Sequence, residues 1–353
     1  MTAASIPVYI SEISPKRLRG AMGSCPQITS VTGALALYAL GLVLPWRWLA
    51  VVGGVPALLM VVLLAFMPSS PRRLLKLGRE QQAEKALQWL RGKHYDTQVE
   101  LSDIKQSINT QPEVTWSQLA TPVYYRPILI SVGMRFLQQL TGITPILVYM
   151  EPIFSKSKVS LPARFDAAIV GAVRLVAVAT AAFLMDKAGR KALLYTSSML
   201  MFGSSLTLTI ISHTTSCPPG PFPPNLTPAN SAGLIPLIST IVFILGYAMG
   251  WGPITWLLMS EVLPLVTRGV ASGLCVAVSW LTAFALTQAF VHLVEDHSLF
   301  VPYLFFTVVC VFCLLFTAVC IPETKGRSLE EIENYFRTGG TFTITQSPST
   351  EQT

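Results

Sequence analysis

The chain carries eight apolar runs, each close to the ~20 residues an α-helix needs to cross a bilayer. They lie at Pro26–Leu44, Trp48–Met67, Pro127–Tyr149, Asp166–Met185, Ala192–Ser212, Ala232–Met259, Val270–His292 and Phe300–Ile321. Ile6–Ile10 reads as the tail of a further span. Hydrocarbon offers no partner to a backbone N–H or C=O, so runs of this length predict an all-α, polytopic membrane protein. Composition agrees: 52% of residues are hydrophobic and 12% charged, against about 25% charged in soluble domains. A soluble enzyme, a disordered linker protein and a disulfide scaffold are excluded.

The formal net charge of +7 sits in short basic blocks between the runs. When the eight spans alternate, 19 Lys and Arg fall on one face and four (Arg47, Lys156, Lys158 and Arg164) on the other. The positive-inside rule puts the richer face, and both chain ends, in the cytosol. The charge therefore reads as orientation and not as a nucleic-acid footprint. Met1–Ser5 is short and uncharged, so no cleavable signal peptide is expected. In Pro68–Arg126, Leu74, Leu75, Leu77, Ala83, Ala86, Leu87 and Leu90 recur at helical spacing among charges. That pattern predicts amphipathic helices at the cytosolic surface. The Pro-rich loop Thr214–Ala232 lies on the outer side and holds Asn225-Leu226-Thr227, an N-glycosylation acceptor whose following Pro228 lowers its use. Residues from Gly339 onward are polar and expected to be disordered. Five of six cysteines fall in or beside apolar runs; Cys310 and Cys313 form a CxxC that reads as small apolar fillers, so no metal or cofactor is expected.

An internal repeat organises the chain. Glu12-Ile-Ser-Pro15-Lys-Arg-Leu-Arg19-Gly20 returns as Glu261-Val-Leu-Pro264-Leu-Val-Thr-Arg268-Gly269, an offset of 249 residues. Each copy is followed by two spans and then a Pro-led basic motif, Pro68-Ser-Ser-Pro71-Arg72 and Pro322-Glu-Thr-Lys-Gly-Arg327, offset by 254. Two parallel halves are a recurrent transporter plan. The second half has four spans ahead of its Glu turn and the first has only a stub. Symmetry predicts twelve spans in a complete molecule, of which this chain carries eight. The expected units are 1–67 (the end of the first half), 68–126 (a cytosolic helical linker), 127–322 (the second half) and 323–353 (a cytosolic tail).

Gln138 and Gln139 stand inside an apolar span, where an unmatched amide is costly. Helix–helix hydrogen bonding and a polyhydroxylated ligand both answer that cost. Trp256 and Trp280 are read either as packing or anchoring rings or as cavity walls. Gly250, Gly252 and Pro253 predict a break in regular helix beside Trp256. Arg174, a cation in an apolar span, reads as a functional group, a snorkelling side chain or a partner of Asp166. Arg135 reads as snorkelling toward the cytosol.

Pro322-Glu-Thr-Lys-Gly-Arg327, Asp186-Lys-Ala-Gly-Arg190-Lys191, Gln138-Gln-Leu-Thr-Gly142-Ile-Thr144 and Gly252-Pro-Ile-Thr-Trp256, in this order, resemble the sugar porter branch of the major facilitator superfamily. The likeness runs from Val8 to Arg337. It implies the major facilitator fold and a facilitative hexose uniporter working by alternating access, a glycoprotein of the plasma or endo-lysosomal membrane without enzymatic chemistry. It further implies that Gln27, Gln138 and Gln139 contact sugar hydroxyls and that Trp256 and Trp280 line the cavity. Glu12, Arg19, Asp186, Arg190, Glu261 and Arg268 would form a cytosolic gate between the halves. Thr144, Arg174, Ala248, Ser279 and Ala283 depart from the usual glucose-carrier residues (Asn, Asn, Glu, Asn and Asn), so Thr144 and Arg174 are counted in the site as its distinguishing members. A non-transporting truncated form and a proton-coupled sugar or polyol symporter are the alternatives.

Overall fold

The computed structural model describes residues 2–14, 19–92, 96–109, 121–149, 163–216, 231–264, 267–297, 299–325, 332 and 334–336. Among these the regular structure is α-helical throughout. The N-terminal stub is helix α1 (Thr2–Ile13), followed by α2 (Arg19–Gly41) and α3 (Trp46–Phe66). α3 has no buried residue, and Val51, Val55, Leu58, Leu63 and Phe66 all stand exposed. A helix apolar on every side belongs in hydrocarbon.

Three short helices follow: α4 (Pro71–Lys76), α5 (Glu80–Arg91) and α6 (Thr97–Asn109). Leu74, Ala83 and Ala86 make their small core, as the helical spacing predicts. Leu77 does not join it. It is the C-cap residue of α4 and stands 60% exposed, past the last turn whose face is buried. Arg91 pairs with Glu100 at 2.8 Å and donates from Nη1 to the Ile13 carbonyl at 3.1 Å, which fastens this layer to the end of α1.

The remaining helices form the bundle: α7 (Pro122–Leu140), α8 (Ile143–Val148), α9 (Ala163–Ala188), α10 (Arg190–Ser216), α11 (Ser231–Met249), α12 (Pro253–Val262), α13 (Arg268–His297) and α14 (Phe300–Val319). Pro71, Pro122 and Pro253 open α4, α7 and α12, where an absent N–H removes no intrahelical bond. α10 lies along α14 and α11, α13 along α7, and α9 between α2 and α11. The core is large and apolar, with Trp251, Phe243, Phe306, Met134 and Leu194 all at 1% exposure or less. Ile28 and Val31 of α2 meet Ala177, Val178 and Ala248, so α2 packs against α9 and α11. Cys310 and Cys313 are free thiols buried within α14. Glu151, Lys156, Lys158, Cys217 and Asn225 lie outside the described residues.

Among the described residues, six helical stretches are long and apolar enough to cross a membrane: Trp46–Phe66, Ala168–Met185, Arg190–Thr214, Ile235–Val262, Arg268–Val294 and Phe300–Val319. The runs expected at α2 and α7 form helices but fall short of that standard. α7 carries Arg126, Arg135, Gln138 and Gln139, and α2 is interspersed with Ser, Thr, Gly and Gln.

Candidate functional site

Two spans are broken at the same level of the bundle. The first break separates α7 from α8 at Thr141-Gly142, and no spacing signal had marked it. Gly142 has φ +86°, and a Cβ there would come within 2.3 Å of the Phe306 ring. Both conditions require glycine. The second break is the one expected at 250–253. The Gly252 N–H reaches back five residues to the Tyr247 carbonyl at 2.8 Å, a widened turn. Gly250 lets this turn press against α10, since a Cβ would lie 2.4 Å from Ser197 Cβ.

Breaking a buried helix frees carbonyls that must be paired. Gln138 supplies the donors. Its Nε2 bonds the Trp251 carbonyl at 2.7 Å and the Tyr247 hydroxyl at 2.9 Å, and Thr255 Oγ1 donates to the Trp251 carbonyl at 2.9 Å. Trp251 is fully buried and held at both nitrogens: its backbone N–H donates to Ser197 Oγ at 3.2 Å and its indole N–H to Ser198 Oγ at 2.6 Å. Tyr247, Trp251, Ser197 and Ser198 were not singled out from the sequence. Isolated hydroxyl and indole groups in apolar runs carry no spacing pattern, and only the contact shows their use.

Arg135 requires a correction. Instead of snorkelling to the cytosolic surface it is 1% exposed. α7 begins at Pro122, so Arg135 stands about 20 Å along the helix at ~1.5 Å per residue, beyond the reach of its side chain to water. Its Nη1 donates to Gln138 Oε1 and its Nη2 to Ser279 Oγ at 3.1 Å. The guanidinium also lies over the Trp256 ring, 3.8 Å from the centroid. That stacking is a cation–π contact, so one face of the Trp256 indole is already covered.

Gln139 completes the cluster on the more open side. Its Nε2 donates to Ser279 Oγ at 3.0 Å, and its Oε1 accepts from Thr144 Oγ1 at 2.8 Å. Gln138, Gln139, Thr144, Trp256, Arg135 and Ser279 thus form one continuous network. Arg174 on α9 is partly buried and its Nε has no partner. Gln27 is half-buried on α2. Trp280 neighbours Ser279 in sequence but points elsewhere on α13 and is 61% exposed. Ala248 and Ala283 are buried.

A second polar cluster gathers Arg190, Glu261, Glu323 and Thr324 between the ends of helices. Arg190 pairs with Glu261 at 3.2 Å, and Thr324 Oγ1 donates to the other Glu261 oxygen at 2.8 Å. The Glu323 carboxylate accepts the first two N–H groups of α10, from Arg190 at 3.2 Å and Lys191 at 3.1 Å. An acid at a helix N-terminus meets unpaired donors and the positive end of the helix dipole. Arg268 turns back onto the Leu263 carbonyl at 3.3 Å. In the first half Ser70 Oγ donates to Glu12 at 2.5 Å. Glu12 and Glu261 are repeat mates, and Ser70 and Thr324 share the 254-residue offset. The same hydrogen bond therefore closes both copies. The pairs seen join groups within a half. The side chains of Arg19 and Asp186 lie outside the described residues.

An apolar helical bundle folded around polar side chains at two helix breaks is the architecture of a membrane solute carrier. Residues 1–336 match the family described as Sugar (and other) transporter, and the chain belongs to that family. It is 54% identical to human solute carrier family 2, facilitated glucose transporter member 6, over 96% of this chain and 70% of the relative. Member 8 of the same family from Bos taurus is 39% identical over 94% of this chain and 70% of its own length. Among solved structures, the major facilitator proton:xylose symporter XylE bound to 6-bromo-6-deoxy-D-glucose superposes with a TM-score of 0.78 at 28% identity, covering 95% of this chain and 70% of that one.

Proposed function

We propose that the chain is a facilitative hexose carrier that works by alternating access. The observation that carries this reading is the Gln139–Ser279–Thr144 cluster beside two broken spans. With no ligand present its donors and acceptors satisfy one another. A sugar hydroxyl both donates and accepts, so it can replace such a bond without leaving a buried group unpaired. Gln138 has a different part: its amide is committed to the break in α11–α12, which makes it a positioning residue. Thr144, Gln139, Trp256 and Ser279 take the ligand; Gln27 and Trp280 are assigned to the cavity wall once the halves close.

In this reading α2 and α7 also cross the bilayer, giving eight spans with both ends cytosolic, in the plasma or an endo-lysosomal membrane. Asn225 then faces outward as a glycosylation acceptor. The units are 1–67, 68–126, 127–322 and 323–353. The Glu12–Ser70 and Arg190–Glu261–Thr324 clusters, with Arg19, Asp186 and Arg268, stiffen the cytosolic end of each half so that the halves move as rigid bodies. No covalent step or cofactor enters the cycle.

Radiolabelled hexose uptake into proteoliposomes tests the proposal. Saturable uptake above empty vesicles is expected, without change in lumenal pH. Uptake equal to that of empty vesicles refutes carriage by this chain, and sugar-linked lumenal acidification replaces facilitated diffusion with proton symport.

A further inference from the structure

The polar cluster is cationic, which a site built only for neutral sugars does not need. Arg135 is 1% exposed, and its partners are an amide oxygen, a hydroxyl and an aromatic face, none of them charged. Its Nε is buried without a partner. Arg174 on α9 is a second, partly buried cation whose Nε is likewise unpartnered. The described acidic side chains, Glu12, Glu80, Glu84, Asp96, Glu100, Asp103, Glu261 and Glu323, belong to the linker and the helix-end clusters. None is seen bonded to Arg135 or Arg174. A buried cation is normally paired, because dipoles alone replace its hydration incompletely. The Arg135 charge is delivered to the ligand position through Ser279, which bonds both Arg135 and Gln139.

Resting on the carrier reading above, we infer that the site prefers a polyhydroxylated carboxylate, a sugar acid of the hexuronate class, over the corresponding neutral hexose. Hydroxyls exchange with Gln139, Thr144 and Ser279, and the carboxylate is the counter-charge that no described acidic side chain gives Arg135. A planar carboxylate suits a guanidinium that retains a free N–H edge.

The test measures binding to the full chain in nanodiscs, using radiolabelled glucose, glucuronate and the uncharged methyl ester of glucuronate. Glucuronate is expected to bind at least tenfold more tightly than either neutral compound. Arg135→Gln should reduce that ratio to near one, while Arg135→Lys should keep most of it. The methyl ester makes the comparison on the unaltered protein, so it stands even where a substitution fails to fold. Glucose binding equal to or tighter than glucuronate overturns the inference and leaves the hexose reading intact. Binding of none of the three overturns both.

Discussion

Arg135 and Gln138 sit one helical turn apart on α7 and divide their labour. One holds the charge of the cluster and the other repairs a broken helix, which in the proposed reading leaves Gln139, Thr144, Ser279 and Trp256 to meet a ligand. Gln139→Ala removes two hydrogen bonds. Their loss should lower the melting temperature in detergent modestly, and loss of the amide's own bonds to sugar, at about 1 kcal/mol each, should weaken sugar affinity roughly tenfold or more. The change should appear as a higher KM for hexose uptake; an unchanged KM in a folded carrier removes Gln139 from the site. Gln138→Ala should act on stability first, because it leaves the Trp251 carbonyl and the Arg135 guanidinium each short of a partner. Gly142→Ala is the sharpest backbone test. A left-handed residue with a Cβ costs about 1–2 kcal/mol, and the clash with Phe306 adds about 1–3 kcal/mol. Yield of monodisperse protein and its melting temperature should both fall.

At the level of elements, the two helix breaks and the two helix-end clusters are what let straight apolar helices become a carrier. The Arg190–Glu261 pair is largely buried, with side-chain exposures of 9% and 17%. Glu261→Gln should therefore cost about 1–3 kcal/mol, more than an open surface pair and less than a fully buried one. Repeat symmetry gives a comparative prediction. Ser70→Ala and Thr324→Ala each delete one hydroxyl–carboxylate bond to a repeat-mate glutamate. Each should cost about 1–2 kcal/mol, and measured melting shifts of similar size would support equivalent roles in the two halves. A shift confined to one would show that only that half depends on the bond.

For the molecule as a whole, membrane nature, helical class, the amphipathic layer and the repeat were legible in the residues. Length, hydropathy and spacing are local quantities that the bilayer and the 3.6-residue turn read directly. The basic residues likewise predict the topology: an epitope appended at Thr353 should be reached by antibody only after the membrane is permeabilised, and labelling of intact cells would reverse the orientation. Part of the polar cluster was legible as well, because two adjacent amides in an apolar run are conspicuous in any context. The fate of each polar group was not. Arg135 faces inward while Leu77 faces out, and Gln138 braces a turn more than 100 residues away while its neighbour Gln139 bonds Ser279 on α13. Those outcomes depend on which helix lies opposite, and partners such as Ser279, 144 residues from Arg135, become neighbours only when α13 packs along α7. Patterning along the chain settles where helices form and which medium surrounds them; the pairing of buried charges and amides is a long-range property that exists only once the bundle has closed.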